Sequence, residues 1–244
     1  MLSHRTGKGS DAAMSEGAEG VSEEQRLRDA YARRGPVERR LAGNRGQARI
    51  VAERDHALRE AVRKLPAPAT ELLEIGCGNG SIVSALVAEG LALKGVGLDI
   101  LREAIERGRR NHSELELHVG NAAELPFDAG RFDVVLASTL LSSVPPGQVR
   151  HAVLAEVNRV LRPGGLFVWY DMRRRNPFNP DVKPFLPSEV KAALTGYEVH
   201  ASRVTVVPQI SRRLGPLTAL AYPLLGLVPI LRTHTCGWAR KPKA

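Results

Sequence analysis

The chain has 244 residues, of which 43% are hydrophobic and 25% charged. That is ordinary for a soluble globular protein and long enough for one domain with a sizeable core plus appendages. Two cysteines, Cys77 and Cys236, with no C-x-x-C pair, exclude a disulfide framework and point to a reducing, cytoplasmic setting. Lys and Arg number 35 against 26 Asp and Glu, a balance of +9. It leaves two readings open, an anionic partner such as nucleic acid or a membrane surface, or simply an arginine-rich composition.

Residues 1–24 are rich in Gly, Ser, Ala and Glu and hold no apolar segment, so they read as a disordered tail, neither signal peptide nor anchor. Residues 25–66 read as helical and basic, broken at Gly35-Pro36 and at Gly43-Asn44-Arg45-Gly46. Ile50, Val51, Leu58, Ala61, Val62 and Leu65 form an apolar stripe on the last of these helices. The segment is either a set of solvated helix faces or a cap that closes over a substrate. Pro66-Ala67-Pro68 ends it, and residues 67–244 form the main domain.

The next stretch carries the chemistry. An apolar run from Leu72 to Ile75 ends in Gly76-Cys77-Gly78-Asn79-Gly80, and helical sequence follows from Ser81 to Ala88. That is strand, tight turn, helix. Gly76 allows a sharp turn, Gly78 lets backbone approach a ligand, and Gly80 lets the helix start close to the sheet. The G-x-G-x-G spacing differs from the G-x-G-x-x-G of dinucleotide binders. Glu74, two residues before Gly76, would repel a pyrophosphate but suits a cationic amino acid. A second apolar strand, Leu93 to Asp99, ends in a carboxylate about 20 residues after the loop, the distance at which an acid meets a ribose diol.

Beyond it, Arg102–Asn111 reads as a helix, Leu115–Val119 as a third strand, Arg131–Ser138 as a fourth and Gln148–Leu161 as a helix. Arg162-Pro163-Gly164-Gly165 is read as the helix C-cap and stop, before a fifth strand from Leu166 to Asp171. Arg173 to Pro180 is a basic loop punctuated by prolines. Ser188 caps a further helix. Val199–Val207 and Thr235–Arg240 supply the last two strands. Between them, an insert at about 212–231 is apolar and broken by Pro216, Pro223 and Pro229. It is too interrupted for a transmembrane helix. Either it packs into the core or it faces lipid.

Glu74-x-Gly-Cys-Gly-x-Gly resembles motif I of the class I S-adenosylmethionine-dependent methyltransferases. Gly120-Asn121-Ala122-Ala123-Glu124-Leu125-Pro126-Phe127, Phe132-Asp133-Val134-Val135 and Arg162-Pro163-Gly164-Gly165 resemble later segments of the same family, in its small-molecule, type 11-like group. The resemblance spans Glu71 to Asp171. It implies a doubly wound, Rossmann-like α/β fold: a seven-stranded sheet, mostly parallel with an antiparallel last strand, and helices on both faces. It implies S-adenosylmethionine as cofactor. Glu74 would hold its amino group, Asp99 its ribose, and Ile100, Asn121 (in place of the usual Asp) and Ala122 its adenine. Gly76, Cys77, Gly78, Gly80 and Ser138 would complete the set.

Ala137-Ser138-Thr139-Leu140 departs from the Asn/Asp-Pro-Pro-Tyr of enzymes that methylate exocyclic amines, and no Pro-Cys pair offers a nucleophile to a pyrimidine. Asp171 and Tyr170, at the end of the fifth strand, and His151 are the candidate catalytic groups. No metal site is expected. The implied function is methyl transfer to a small molecule or a glycan or lipid precursor, on oxygen. An RNA methyltransferase and a non-catalytic S-adenosylmethionine-binding protein are the rival readings, and peripheral membrane contact stays open.

Overall fold

The central strands of this chain are buried on both faces over most of their length and read as near-continuous apolar runs, as strands covered by helices on both sides must. The computed structural model describes residues 42–176, 179 and 181–243. The expected tail at 1–24 and the first part of the expected cap, up to residue 41, lie outside the described residues. In chain order the elements are α1 (Arg45–Val62), β1 (Ala69–Ile75), α2 (Ser81–Ala88), β2 (Ala92–Asp99), α3 (Arg102–Asn111), β3 (Glu116–Val119), β4 (Phe132–Ser138) and α4 (Gln148–Val160). Then follow β5 (Leu161–Met172), α5 (Pro187–Ala193), β6 (Glu198–Val206), α6 (Pro208–Ser211), α7 (Thr218–Gly226) and β7 (Arg232–Arg240).

The seven strands form one sheet in the order β3-β2-β1-β4-β5-β7-β6. β1 pairs in parallel with β2 and β4, while β7 runs antiparallel to both β5 and β6. The expected doubly wound sheet with its reversed last strand is therefore the observed one. The strand order reverses between β1 and β4, and ligands bind outside the carboxyl ends of strands at such a switch point. Ile75, Asp99, Ser138 and Met172 end their strands on that edge. β6 also ends there, at Val206, and β7 begins beside it at Arg232. The 207–231 connection thus lies on the ligand-binding edge.

The alternation of strand side chains builds two cores. On one face Leu72, Val134, Leu136, Leu166, Val168 and Tyr170 pack against Leu58, Ala61 and Val62 of α1 and Leu86 of α2. On the other, Leu73, Val135, Phe167 and Trp169 pack against Val153, Leu154 and Val157 of α4 and against Phe185 and Val190. The apolar stripe of α1 is thus core, and the helix runs from the ligand-binding edge to the start of β1. Asn44 caps it, its side-chain oxygen accepting from the Gln47 amide at 2.9 Å.

Two local expectations are corrected. Arg162-Pro163-Gly164-Gly165 is not the C-cap of α4. The helix stops at Val160 because Leu161 is already extended, and Gly164, at φ +78°, turns the chain so that its amide meets Lys241. Ser188 is not the cap of α5 either. Pro187 opens that helix, and the Glu189 carboxylate accepts from the Leu186 amide at 3.0 Å.

α1 is locked to the 207–231 connection by backbone proximity. A Cβ on Gly46 would overlap the Ser211 carbonyl. Asn44 and Gln47 hold Arg212 from the same turn. Gly46→Val should therefore force α1 off this connection and cost about 1–3 kcal/mol. Denaturant unfolding of the variant beside the parent measures this; equal midpoints would show that the two segments are not in such contact.

Candidate functional site

Three glycines in the left-handed region set the geometry. Gly76, Gly78 and Gly80 have φ of +68°, +57° and +77°, a region that side chains other than glycine enter at a cost. A Cβ on Gly76 would meet Leu140 at 2.9 Å and one on Gly80 would meet Leu115 at 2.9 Å. A Cβ on Gly78 would have nothing within 4 Å. The middle glycine alone opens onto free space. The loop is tied to β2, because the amides of Gly76 and Cys77 both donate to the Leu98 carbonyl, at 2.7 and 3.1 Å.

Two carboxylates brace this loop from behind. Asp99 accepts from the Gly78 amide at 2.7 Å through Oδ2 and from the Leu101 amide at 2.9 Å through Oδ1. Each oxygen keeps a second lone pair for a ligand hydroxyl. Burial pushes the Asp99 carboxyl above its ordinary range. Glu74 is almost fully buried and accepts from the Val83 amide in the first turn of α2 at 3.2 Å. Burial above all, helped by the charge of Asp99, raises Glu74 to about 8.

At the end of β4 the Ser138 Oγ is buried and has no hydrogen-bond partner, which is rare enough to mark a place where something else binds. Thr139 follows it at φ +56°, an uncommon conformation for a β-branched residue. Its amide is held by the Tyr170 carbonyl at 2.7 Å. Farther along the edge, Asn121 Oδ1 accepts from the Ala123 amide at 2.9 Å, forming a turn in which Asn121 is exposed and Ala122 half-buried. Ile100 is half-buried just beyond Asp99.

Several residues expected together are found apart. The Cys77 thiol points away from the open space and packs with Ile105 and Leu117, and burial drives its pKa far up. Its side chain is filler, required to be small because Gly97 and Leu117 crowd it. Tyr170 and Asp171 are neighbours on one strand and so face opposite sides of the sheet. The Tyr170 hydroxyl bonds Thr205 Oγ1 at 2.7 Å on the α1 side. Asp171 has no exposure on the α4 side. It accepts from the Ser142 amide at 3.1 Å and the Met172 amide at 2.8 Å, and burial lifts it to about 6. His151 is exposed on the first turn of α4. These three do not form one catalytic constellation.

A polar group on the α1 side was not visible in the sequence. Tyr170 stacks on His234, with ring centroids 5.0 Å apart, and His234 Nδ1 meets the Thr233 hydroxyl at 3.1 Å. Tyr222 of α7 donates to Glu53 of α1 and lies under the Arg49 guanidinium. Arg54 lies close enough for its charge to favour the ionised form of Glu74. The Tyr222–Glu53 pair spans 169 positions and the Tyr170–His234 stack joins separate strands, so no local pattern announces them.

With this geometry in hand, likeness to other proteins can be placed on it. Residues 73–169 match the methyltransferase domain family. A fatty-acid O-methyltransferase of Mycolicibacterium smegmatis is 40% identical over 43% of this chain and 38% of its own length. A phthiotriol/phenolphthiotriol dimycocerosates methyltransferase of Mycobacterium tuberculosis is 37% identical over 43% of this chain and 39% of its own. The chain thus spans well under two thirds of the curated relatives it matches. Among solved structures, a geranyl diphosphate C-methyltransferase from Streptomyces coelicolor superposes with a TM-score of 0.60 at 14% identity, covering 79% of this chain and 77% of that one. It shares the fold.

Burial holds His234 neutral, at a pKa of about 4. The unfolded chain takes up the proton near 6.5. The group's contribution to stability is therefore complete above pH 6.5 and is lost as pH falls toward 4, amounting to roughly 2 kcal/mol between pH 7 and pH 5. Between pH 7 and pH 5 the parent should lose roughly 2 kcal/mol of stability relative to His234→Phe, which keeps a ring against Tyr170 but does not titrate. An unfolding difference independent of pH would mean that His234 is not held neutral.

Proposed function

We propose that this chain, a member of the class I S-adenosylmethionine-dependent methyltransferases, transfers a methyl group to an oxygen, preferably a carboxylate oxygen, of a lipid-like acceptor. One observation carries the acceptor assignment. The apolar 207–231 connection and the arginine loop after β5 meet on the edge where the glycine loop opens. Gln209 Nε2 donates to Asn176 Oδ1 at 3.4 Å between them. An apolar wall beside exposed Arg174 and Arg175 suits a chain that ends in an anion. The names of the two relatives support a lipid-like acceptor, and that of the fatty-acid O-methyltransferase supports an acid.

The residues present fit the cofactor. The open space over Gly78 and the unpartnered Ser138 hydroxyl are what a bound ligand would fill and satisfy. Asp99 would take the ribose hydroxyls, Ile100, Asn121 and Ala122 the adenine, and Glu74, beside Gly76 and Gly80, the amino-acid end. When bound, S-adenosylmethionine supplies a methyl group on a sulfonium, whose thioether departs readily.

The chain's own contribution is then positioning and exclusion of water. A carboxylate acceptor is already ionised at neutral pH, so no side chain has to take a proton. That accords with an Asp171 engaged by the Ser142 side chain and by backbone amides and a Tyr170 turned to the far side of the sheet. On this reading Asp171 is a positioning residue that fixes the Ser142 segment over the end of β4. The full chain incubated with cofactor and a panel of fatty acids, fatty alcohols and RNA, read by mass spectrometry, should methylate the acids first. Methylation of RNA alone, or of nothing while cofactor binds, would overturn the proposal.

Two further outcomes follow from the cofactor contacts. Asp99→Ala leaves two hydroxyls without an acceptor and should weaken binding of the demethylated product by about 1–3 kcal/mol. Gly78→Val should weaken it more, by filling the open space; unchanged calorimetric affinity in both would remove the assignment. Glu74, at about 8 when free, is mostly protonated at pH 7. A cationic amine docked against it favours the charged form, so binding should release a proton. Titrations in two buffers of different ionisation enthalpy detect that release. Its persistence in Glu74→Gln would show that another group is responsible.

A further inference from the structure

The 207–231 connection has two apolar sides and needs only one of them to fold. Inward, Tyr222 is fully buried, donates to Glu53 and accepts from the Val206 amide at 3.3 Å. Thr218 is buried and bonds the Gly215 carbonyl. Outward, Leu217, Leu220, Leu224 and Leu227 recur at spacings of three, four and three, which is one face of a helix. They are 62%, 70%, 59% and 74% exposed, and Ile230 beside them is 62% exposed. Of the large hydrophobic side chains exposed among the described residues, most lie between Ile210 and Ile230. Single exposed leucines call for no explanation, but a contiguous stripe does.

The charge around the stripe has one sign. Every charged residue after Glu198 is Arg or Lys. Arg212 and Arg213 precede the stripe and Arg232 follows it. Arg232 donates to the Arg203 carbonyl at 2.8 Å, and Arg203 and Arg174 both act on Arg173 as repelling neighbours. Glu53, the nearby acid, is turned inward to Tyr222. This sets the choice of occupant. In a two-fold pair of chains the same stripe would meet itself and bring arginines against arginines with no acid to separate them. An anionic bilayer offers hydrocarbon to the leucines and phosphates to the rim.

Size and place agree. α7 has nine residues with Pro223 inside it, and no helix among the described residues is long and apolar enough to cross a membrane. A short helix with leucines on one side and arginines at its ends lies in an interface rather than through it. The connection also sits on the edge where the glycine loop opens.

We propose that the outward face of α7 and its flanking turns docks this protein on an anionic membrane surface, with Leu217, Leu220, Leu224 and Leu227 in the acyl boundary and Arg213 and Arg232 among the headgroup phosphates. The lipid-acceptor reading above gives the docking a purpose, since the pocket mouth would then face the source of its substrate. The docking itself is tested without turnover, so either reading can fail alone.

The probe is co-sedimentation of the full chain with vesicles of phosphatidylglycerol and phosphatidylcholine in equal parts, beside vesicles of phosphatidylcholine alone. Binding should need the anionic lipid and weaken as salt rises. The double variant Leu220→Ser, Leu224→Ser should bind the mixed vesicles more than about tenfold less tightly, because it removes two buried side chains from the interface. Arg213→Gln should cost about fivefold. Both should keep the parent's unfolding midpoint and its affinity for the demethylated cofactor, since neither touches the inner face or the glycine loop. Failure of the parent to bind, or equal binding by the leucine variant, overturns the proposal. So does a concentration-dependent dimer of the parent that the leucine variant abolishes, which would make a second copy the occupant. So does a gain of vesicle binding when residues 1–41 are removed, which would place that segment on the stripe.

Discussion

The Leu98 carbonyl receives two consecutive amides, from Gly76 and Cys77, and that double tie decides how low the β1 turn lies on the sheet. Everything beneath the turn has to make room for it. Gly97, on the paired strand, has no space for a side chain, because a Cβ there would stand 2.7 Å from the Cys77 sulfur and 2.6 Å from Leu117. A Cβ on Gly108 of α3 would likewise stand 2.7 Å from the Asn79 carbonyl. Only because the turn lies this low can Asp99, at the end of β2, reach the Gly78 amide and leave the far side of Gly78 open. The open space over Gly78 is a consequence of close packing below the loop.

The carboxylates of this edge follow from the same burial. Glu74, Asp99 and Asp171 are all shut away from water, and all three are pushed toward the neutral form. None has a lysine or arginine in direct contact. Each is held instead by backbone amides of a neighbouring loop or helix turn, which satisfy the oxygens without neutralising the charge. Such a site lacks a cation, and a ligand that carries one supplies what the fold leaves out. A dinucleotide pyrophosphate would add negative charge to the same place.

How much of this could be read from the sequence depends on the range of the interaction. The strand-turn-helix at Leu72 to Ala88 and the acid at Asp99 are local patterns, and they led to the loop, the switch point and the sheet. The two long-range features were not legible. Tyr170 and Asp171 look like partners because they are adjacent, yet the pleat sends one to Thr205 and the other to Ser142. Cys77 looks like part of the ligand loop because it lies between two of its glycines, yet its thiol faces Leu117. The apolar run around α7 was ambiguous for another reason. Hydropathy gives the composition of a helix and says nothing about which side meets protein. Tyr222 and Thr218 face inward and the leucines do not, a distinction that for Tyr222 is made by Val206 on the preceding strand and by Glu53, 169 positions away.

The net charge acquires a meaning once it is located. Near the start of the sheet Glu71, Lys94, Glu116 and Arg131 form a closed network, with Lys94 at 2.9 and 2.8 Å from its two acids and Arg131 at 2.7 Å from Glu71. It holds Glu116 down to about 2, and it cancels within itself. Arg150, nearly buried, is matched by Glu189 and by two carbonyls. Such arginines are structural and attract no partner. After Glu198, where acids are absent, Arg203, Arg212, Arg213 and Arg232 lie toward the edge where an acceptor has to enter, and Arg240, Lys241 and Lys243 lie at and beyond the opposite end of β7. A nucleic-acid site would want that charge spread along a polar groove with faces for bases to stack on. Here the arginines border leucines instead, and an apolar centre with a basic rim is the arrangement that a headgroup layer over acyl chains complements.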